Sequence, residues 1–132
     1  MVAVRQFSGD DEIQDVDLVI DALIGYSLDG PSRGATASLI RAVNDTGTPC
    51  LSLDTPSGID LASGRVYEPA IKADATLTLA LPKHGLRSNG AQPLVGELWL
   101  ADIGVPPALY AEPSIGLQVR SPFEGDDIVR IA

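Results

Sequence analysis

The sequence predicts an α/β fold of the doubly wound type, built on a parallel sheet, from three consecutive signals. Residues 16–24 form an almost continuous apolar run interrupted only by Asp17 and Asp21, which suits a strand buried on both faces. Apolar positions then fall at Ala35, Leu39, Ala42 and Val43, the spacing of one helical face. A second apolar run covers residues 50–53. Strand, helix and strand joined by a connection of this length imply two parallel strands with a right-handed crossover.

The first strand is expected to end at Gly25, before the turn-forming stretch Gly25-Tyr-Ser-Leu-Asp-Gly-Pro-Ser-Arg-Gly34. Ser32 is the expected N-cap of the helix, and Gly47 with Pro49 supplies the left-handed residue and the stop that close it. Residues 75–81 are rich in β-branched and apolar side chains and read as a third strand. Residues 97–102 alternate polar and apolar and read as a fourth. Beyond Pro106-Pro107, a last strand is expected at residues 115–119, and the acidic stretch 124–127 is left without an element. The 132 residues, 45% hydrophobic and 20% charged, suit one domain with its own core.

A formal net charge of -9 opposes nucleic-acid phosphates and anionic membrane surfaces at long range, so neither is an expected partner. A phosphate-bearing ligand stays open, because backbone N–H groups can bind an anion locally. The lone Cys50 cannot form an intrachain disulfide and reads as a small buried hydrophobe. The N-terminal residues turn acidic too soon for a secretory signal, and no apolar run approaches the ~20 residues of a membrane helix. A cytoplasmic location is the expectation.

Ligands of open parallel sheets bind outside the carboxyl ends of the strands. Three such ends carry polar, turn-forming residues: Asp21 to Gly25, Asp54-Thr55-Pro56-Ser57-Gly58, and Pro82-Lys83-His84-Gly85. Gly25, Gly30 and Gly34 either permit a tight turn into the helix or shape a binding loop; they match neither a dinucleotide fingerprint nor a P-loop. Asp54 and Ser57 read either as an Asx turn or as a catalytic placement. Asp21, a carboxylate within an apolar run, needs hydrogen bonds or a cation, so it reads as a cap or as a ligand. His84 reads as a solvated surface side chain. No His/Cys cluster has transition-metal spacing, and Ser57 lacks a nucleophile-elbow frame.

The ordered set Asp17-Leu-Val-Ile-Asp21-Ala-Leu-Ile-Gly25-Tyr-Ser-Leu-Asp-Gly30, Leu53-Asp54-Thr-Pro-Ser-Gly58-Ile-Asp60, Ala73-Asp-Ala-Thr-Leu-Thr78, Pro82-Lys83 and Gly96-Glu-Leu-Trp-Leu-Ala-Asp-Ile-Gly-Val-Pro106 resembles the C-terminal portion of the YjeF N-terminal domain over residues 15–107. The resemblance implies a three-layer Rossmann-like domain that interconverts the R and S epimers of NAD(P)HX, the hydrated form of NADH or NADPH, in nicotinamide cofactor repair. An ATP-dependent dehydratase is the implied functional partner. Carried over by motif, Asp21 and Ser57 would help hold a potassium ion. Gly25, Tyr26, Ser27, Leu28, Asp29, Gly30 and Pro31 would bind substrate, and Asp54 would contact the hydrated nicotinamide and act as acid/base. That family's domain is longer at its N-terminus, where an Asn-Asn-Gly-Gly-Asp-type loop contacts phosphates. The resemblance therefore implies that the opening strands and helices come from another chain or segment, or have been lost, and that this chain is a homo-oligomer or one part of a complemented domain. The alternative reading is a non-catalytic nucleotide-binding or interaction module; a sugar kinase finds no ATP-phosphate loop to support it.

Overall fold

The computed structural model describes residues 1–9 and 11–132. Its centre is a five-stranded sheet in the order β1-β2-β3-β4-β5. The strands are β1 Val19–Asp21, β2 Cys50–Leu53, β3 Ala75–Leu79, β4 Glu97–Ala101 and β5 Ile128–Arg130. The first four pair in parallel, and β5 runs antiparallel to β4. Helix α1, Gly34–Thr46, makes the crossover between β1 and β2. A 3₁₀ turn at His84–Arg87 and the short helix α2, Gln92–Val95, lie between β3 and β4, and α3, Pro107–Tyr110, follows β4. No helix is long and apolar enough to cross a membrane among the described residues.

The register makes the two faces of the sheet unlike. Val19 pairs with Cys50, Asp21 with Ser52, Ser52 with Thr76, Thr76 with Leu98 and Thr78 with Leu100, so these side chains share one face. That face is buried in two clusters. Ile40 and Val43 of α1 pack with Cys50, Ile71 and Ala73, with Ile13 and Val19 at the margin. Ile59, Leu61, Leu86, Ala91, Val95 and Leu98 form the second. On the opposite face Ile20 is 56% and Ile128 51% exposed, and Leu53 is exposed as well. Burial of both faces, expected for the first strand, is not met at Ile20 in the described residues.

Several boundaries depart from expectation. The regular first strand is three residues, not nine, because only Val19 to Asp21 find ladder partners on β2. Ser32 does not cap α1. The N-cap is Arg33, with no side-chain hydrogen bond to the helix, and the Ser32 hydroxyl is buried without a partner among the described residues. Gly47 does close α1 in the left-handed conformation, with φ 67°. Residues 115–119 form no strand. Ile115 and Gly116 instead donate to the Glu112 carbonyl in a turn after α3, and the edge of β4 is taken by Ile128–Arg130. Gly96 shows how tightly β4 is set: a Cβ there would lie 2.1 Å from the Asp74 carbonyl oxygen.

Candidate active site at the carboxyl edge of the sheet

Asp21 is the last residue of β1 and is only 3% exposed. One carboxylate oxygen, Oδ1, accepts the Ser57 hydroxyl at 2.6 Å and the Leu23 N–H at 3.3 Å. The other, Oδ2, accepts the Ser52 hydroxyl at 2.8 Å and the Ser57 N–H at 2.8 Å. The Ser57 hydroxyl in turn accepts the Ile24 N–H at 3.0 Å. A buried carboxylate is thus balanced by four neutral donors, as its desolvation demands. Neither ion pair among the described residues involves it. Asp21 and Ser57 therefore meet directly, bridging the loop after β1 to the loop after β2. All the side-chain groups that converge here are oxygens, the donor type that hard cations take. No group of three or more His, Cys, Asp or Glu side chains suited to a metal occurs among the described residues.

Asp54, the residue after β2, is wired differently. It adopts a left-handed backbone with φ 65°, and its Oδ1 accepts the Lys83 ammonium at 2.7 Å, the Thr78 hydroxyl at 3.1 Å and the Leu79 N–H at 3.2 Å. Lys83 also donates to the Leu79 carbonyl. The Lys83 and Asp54 side chains are 24% and 20% exposed. One Asp54 oxygen is thus held from within, while Oδ2 receives no hydrogen bond among the described residues. No Asx turn joins Asp54 to Ser57: the two side chains point their polar atoms into separate networks.

Strain gathers at the same edge. Of the five non-glycine residues with positive φ among the described residues, Ser27, Asp54 and Ala80 follow β1, β2 and β3 respectively. Such conformations persist where surrounding structure enforces them, commonly at sites. Gly25, Tyr26, Ser27 and Leu28 line a shallow depression with Asp60, Leu61 and Ala62, and Tyr26 projects 80% exposed. Asp29, Gly30 and Pro31 continue the same loop without lining that depression. The Ser63 hydroxyl, and after it the Ala62 N–H, hold the Asp60 carboxyl below the usual carboxylate range. A second depression, between Ala80, Asp102, Tyr110 and Phe123, lies beyond β3 and β4.

Cys50 faces the core below Asp21. Burial first, and the charges of Asp21 and Asp74 second, push its thiol up to about 12, which rules it out as a nucleophile near neutral pH. His84 is exposed at the start of the 3₁₀ turn. The sequence reading did not give roles to Ser52, Thr78 or Lys83. Ser52 and Thr78 look like ordinary strand residues until the register places them inward, and Lys83 lies 29 positions from Asp54.

The model of the YjeF-related protein N-terminus family matches residues 2–85, more than half of the chain and the whole segment that carries Asp21, Asp54, Ser57 and Lys83. The chain belongs to that family. An NAD(P)H-hydrate epimerase of Dehalogenimonas lykanthroporepellens is 45% identical over 120 residues, covering 91% of this chain and 47% of the relative. One of Truepera radiovictrix is 42% identical, over 75% of this chain and 43% of the relative. A bifunctional NAD(P)H-hydrate repair enzyme Nnr of Moorella thermoacetica is 40% identical over 72% of this chain and 18% of its own length. The family member described here thus spans a little under half the length of the epimerases it matches. Among solved structures, yeast ynu0 (YNL200c) superposes with a TM-score of 0.65 at 18% identity, over 87% of this chain and 46% of the yeast one, which supports the fold.

Proposed function

We propose that this chain carries the acid/base and cation-holding part of an NAD(P)H-hydrate epimerase site, which interconverts the R and S epimers of hydrated NADH or NADPH. The observation that carries the reading is Asp54: a partly exposed carboxylate at a parallel strand's carboxyl end, with one oxygen held by three donors and the other unbonded among the described residues. Its family relatives, named as epimerases, supply the reaction class.

In this reading Oδ2 of Asp54 first takes a proton from solvent; the carbon–oxygen bond at the hydrated ring carbon then breaks with its electron pair on oxygen, and Asp54 passes that proton to the departing oxygen. The ring nitrogen's lone pair fills the deficit at carbon. Water then adds to the opposite face and returns a proton to Asp54, so atoms and charge balance over the cycle. The loop from Gly25 to Pro31 holds the substrate over the strand ends, with Tyr26 and Ser27 on the wall that Asp60 completes. Asp21 and Ser57 would hold a potassium ion; their side-chain oxygens are the donor type that fits such an ion. When bound it would supply fixed positive charge beside the loop. The ATP-dependent dehydratase that the family resemblance implies would take up the product epimer, and relatives named as bifunctional NAD(P)H-hydrate repair enzymes are in keeping with that partnership.

The uncovered sheet face gives the partner reading. Ile20 on the edge strand β1 and Leu53 at the end of β2 are exposed apolar residues of a parallel sheet, which is normally covered on both faces. A second copy or a complementing polypeptide would cover them, burying in total about 1,000 Å² or more. Sedimentation of the purified chain tests this, and a monomer at all concentrations speaks against a second copy.

The reaction is tested by adding the purified chain, with potassium, to one separated epimer of hydrated NADH and following the two epimers by proton NMR. Interconversion that is lost in Asp54→Asn supports the assignment. Equal interconversion by the variant removes Asp54 from the chemistry and favours the alternative, a binding module without turnover.

A further inference from the structure

The ion pair between Lys83 and Asp54 is more buried than the other one described. Lys83 and Asp54 are 24% and 20% exposed at 2.7 Å, whereas Arg130 and Glu97 are 55% and 50% exposed at 3.2 Å. Exposed pairs such as the second contribute little. Lys83 is also anchored from behind, since its ammonium donates to the Leu79 carbonyl, the residue whose N–H bonds Asp54. Two backbone distortions flank the arrangement: Asp54 and Ala80 both have φ 65°. The chain bends at Asp54 so that its carboxylate turns across to β3, and it bends again at Ala80 before Lys83 returns to meet it.

Three donors converge on one oxygen, and they differ in kind. Thr78 and Leu79 are neutral and belong to β3. Lys83 alone carries charge, and it alone sits outside the sheet. Removing it leaves Oδ1 with two longer bonds, 3.1 and 3.2 Å, and frees the Asp54 side chain to leave its χ1 rotamer and its carboxylate to turn about χ2.

We infer that Lys83 is a positioning residue for the epimerisation: it locks Oδ1 of Asp54 against β3 so that Oδ2 is the oxygen that exchanges protons with the hydrated ring. The inference rests on the epimerase reading and adds a residue to it. Lys83 acts through Asp54 and needs no contact with the substrate. Misplacing a catalytic group by about 1 Å costs on the order of 100-fold in rate without loss of ground-state binding, so the signature is a fall in kcat at a steady KM.

The test compares Lys83→Met, which keeps the aliphatic stem, with Lys83→Arg, which keeps the charge. Lys83→Met should lower kcat by roughly 30- to 100-fold with KM within about threefold. Lys83→Arg should recover at least about tenfold of that loss, since a guanidinium still donates to a carboxylate although with altered geometry. A second measurement does not depend on turnover. Three-bond couplings between Hα and the two Hβ protons of Asp54 should report one χ1 rotamer in the wild type and an averaged value in Lys83→Met. If the wild-type chain epimerises nothing, the reaction reading falls, and unaveraged couplings in Lys83→Met then overturn the positioning role as well. If the wild type is active and Lys83→Met keeps its kcat, or if Lys83→Arg recovers nothing, Lys83 is a structural pin and the inference is wrong.

Discussion

Asp21 and Asp54 end neighbouring strands of one sheet, yet their carboxylates are stabilised by opposite means. Asp21 is sealed at 3% exposure and balanced wholly by hydroxyls and backbone N–H groups. Asp54 stands at the solvent border and leans on a lysine. The difference teaches that a carboxylate's surroundings, more than its place in the chain, set whether its charge is sealed within the fold or open at the rim. Neutral dipoles fixed by the fold hold a charge still, and their loss is felt by the fold. An anchored cation at the rim holds one oxygen of a charge and leaves the other without a partner among the described residues.

The largest effect expected from this contrast is at Asp21. In Asp21→Asn, an amide replaces two acceptor oxygens with one acceptor and one donor, so buried donors from Ser57 or Ser52 are left unmatched. Urea unfolding should show a loss of about 2–4 kcal/mol; a loss below about 0.5 kcal/mol would erase the distinction between the two aspartates. Asp54→Asn should lower epimerisation by about 100-fold or more while changing the unfolding free energy by under about 1 kcal/mol. A variant that unfolds as readily as Asp21→Asn would place both residues in the same class.

Cys50 reads the contrast through pH. Its folded-state value of about 12 stands above the ordinary 9.0, chiefly through burial and next through the Asp21 charge. Below pH 9 the thiol is protonated in both states and does not alter stability with pH. As pH rises from 9.0 toward about 12, the unfolded chain gives up the proton and the folded chain keeps it, so this group's contribution favours unfolding progressively across that window. The folded chain should resist iodoacetamide at about pH 9, where ordinary thiols react, and the Asp21→Asn chain, still folded, should react faster. The smallest expected effect is at Ser32, whose buried hydroxyl has no partner among the described residues. Calorimetry of Ser32→Ala should show unchanged or slightly raised stability, by up to about 1 kcal/mol, because an unmatched polar atom is removed.

The parts legible in the sequence were those written locally. Apolar runs placed β1 and β2, the helical spacing placed α1, and Gly47 marked its end because few residues accept φ 67° there. The ordered motif pointed to the family and to Asp21, Ser57 and Asp54 together. The rest depends on partners far along the chain. Residues 115–119 alternate as a strand should, but strand identity at the sheet's end is decided by which segment reaches the open edge of β4, and Ile128–Arg130 does so over only three residues. Ser32 has the side chain of an N-cap and the wrong position by one. Lys83 was visible only as a basic residue near a strand end; that it reaches Asp54 follows from the turns at Asp54 and Ala80, which no local pattern announces.

The Asp21–Ser57 junction also limits how this chain can change. Ser57 offers Asp21 both its N–H and its hydroxyl, and at 0% and 3% exposure the two partners are closed to bulk solvent. A single substitution at one position strands polar atoms at the other, so each residue closes most of its neighbour's mutational exits. Only a paired substitution at both positions would keep every buried donor and acceptor of the junction matched.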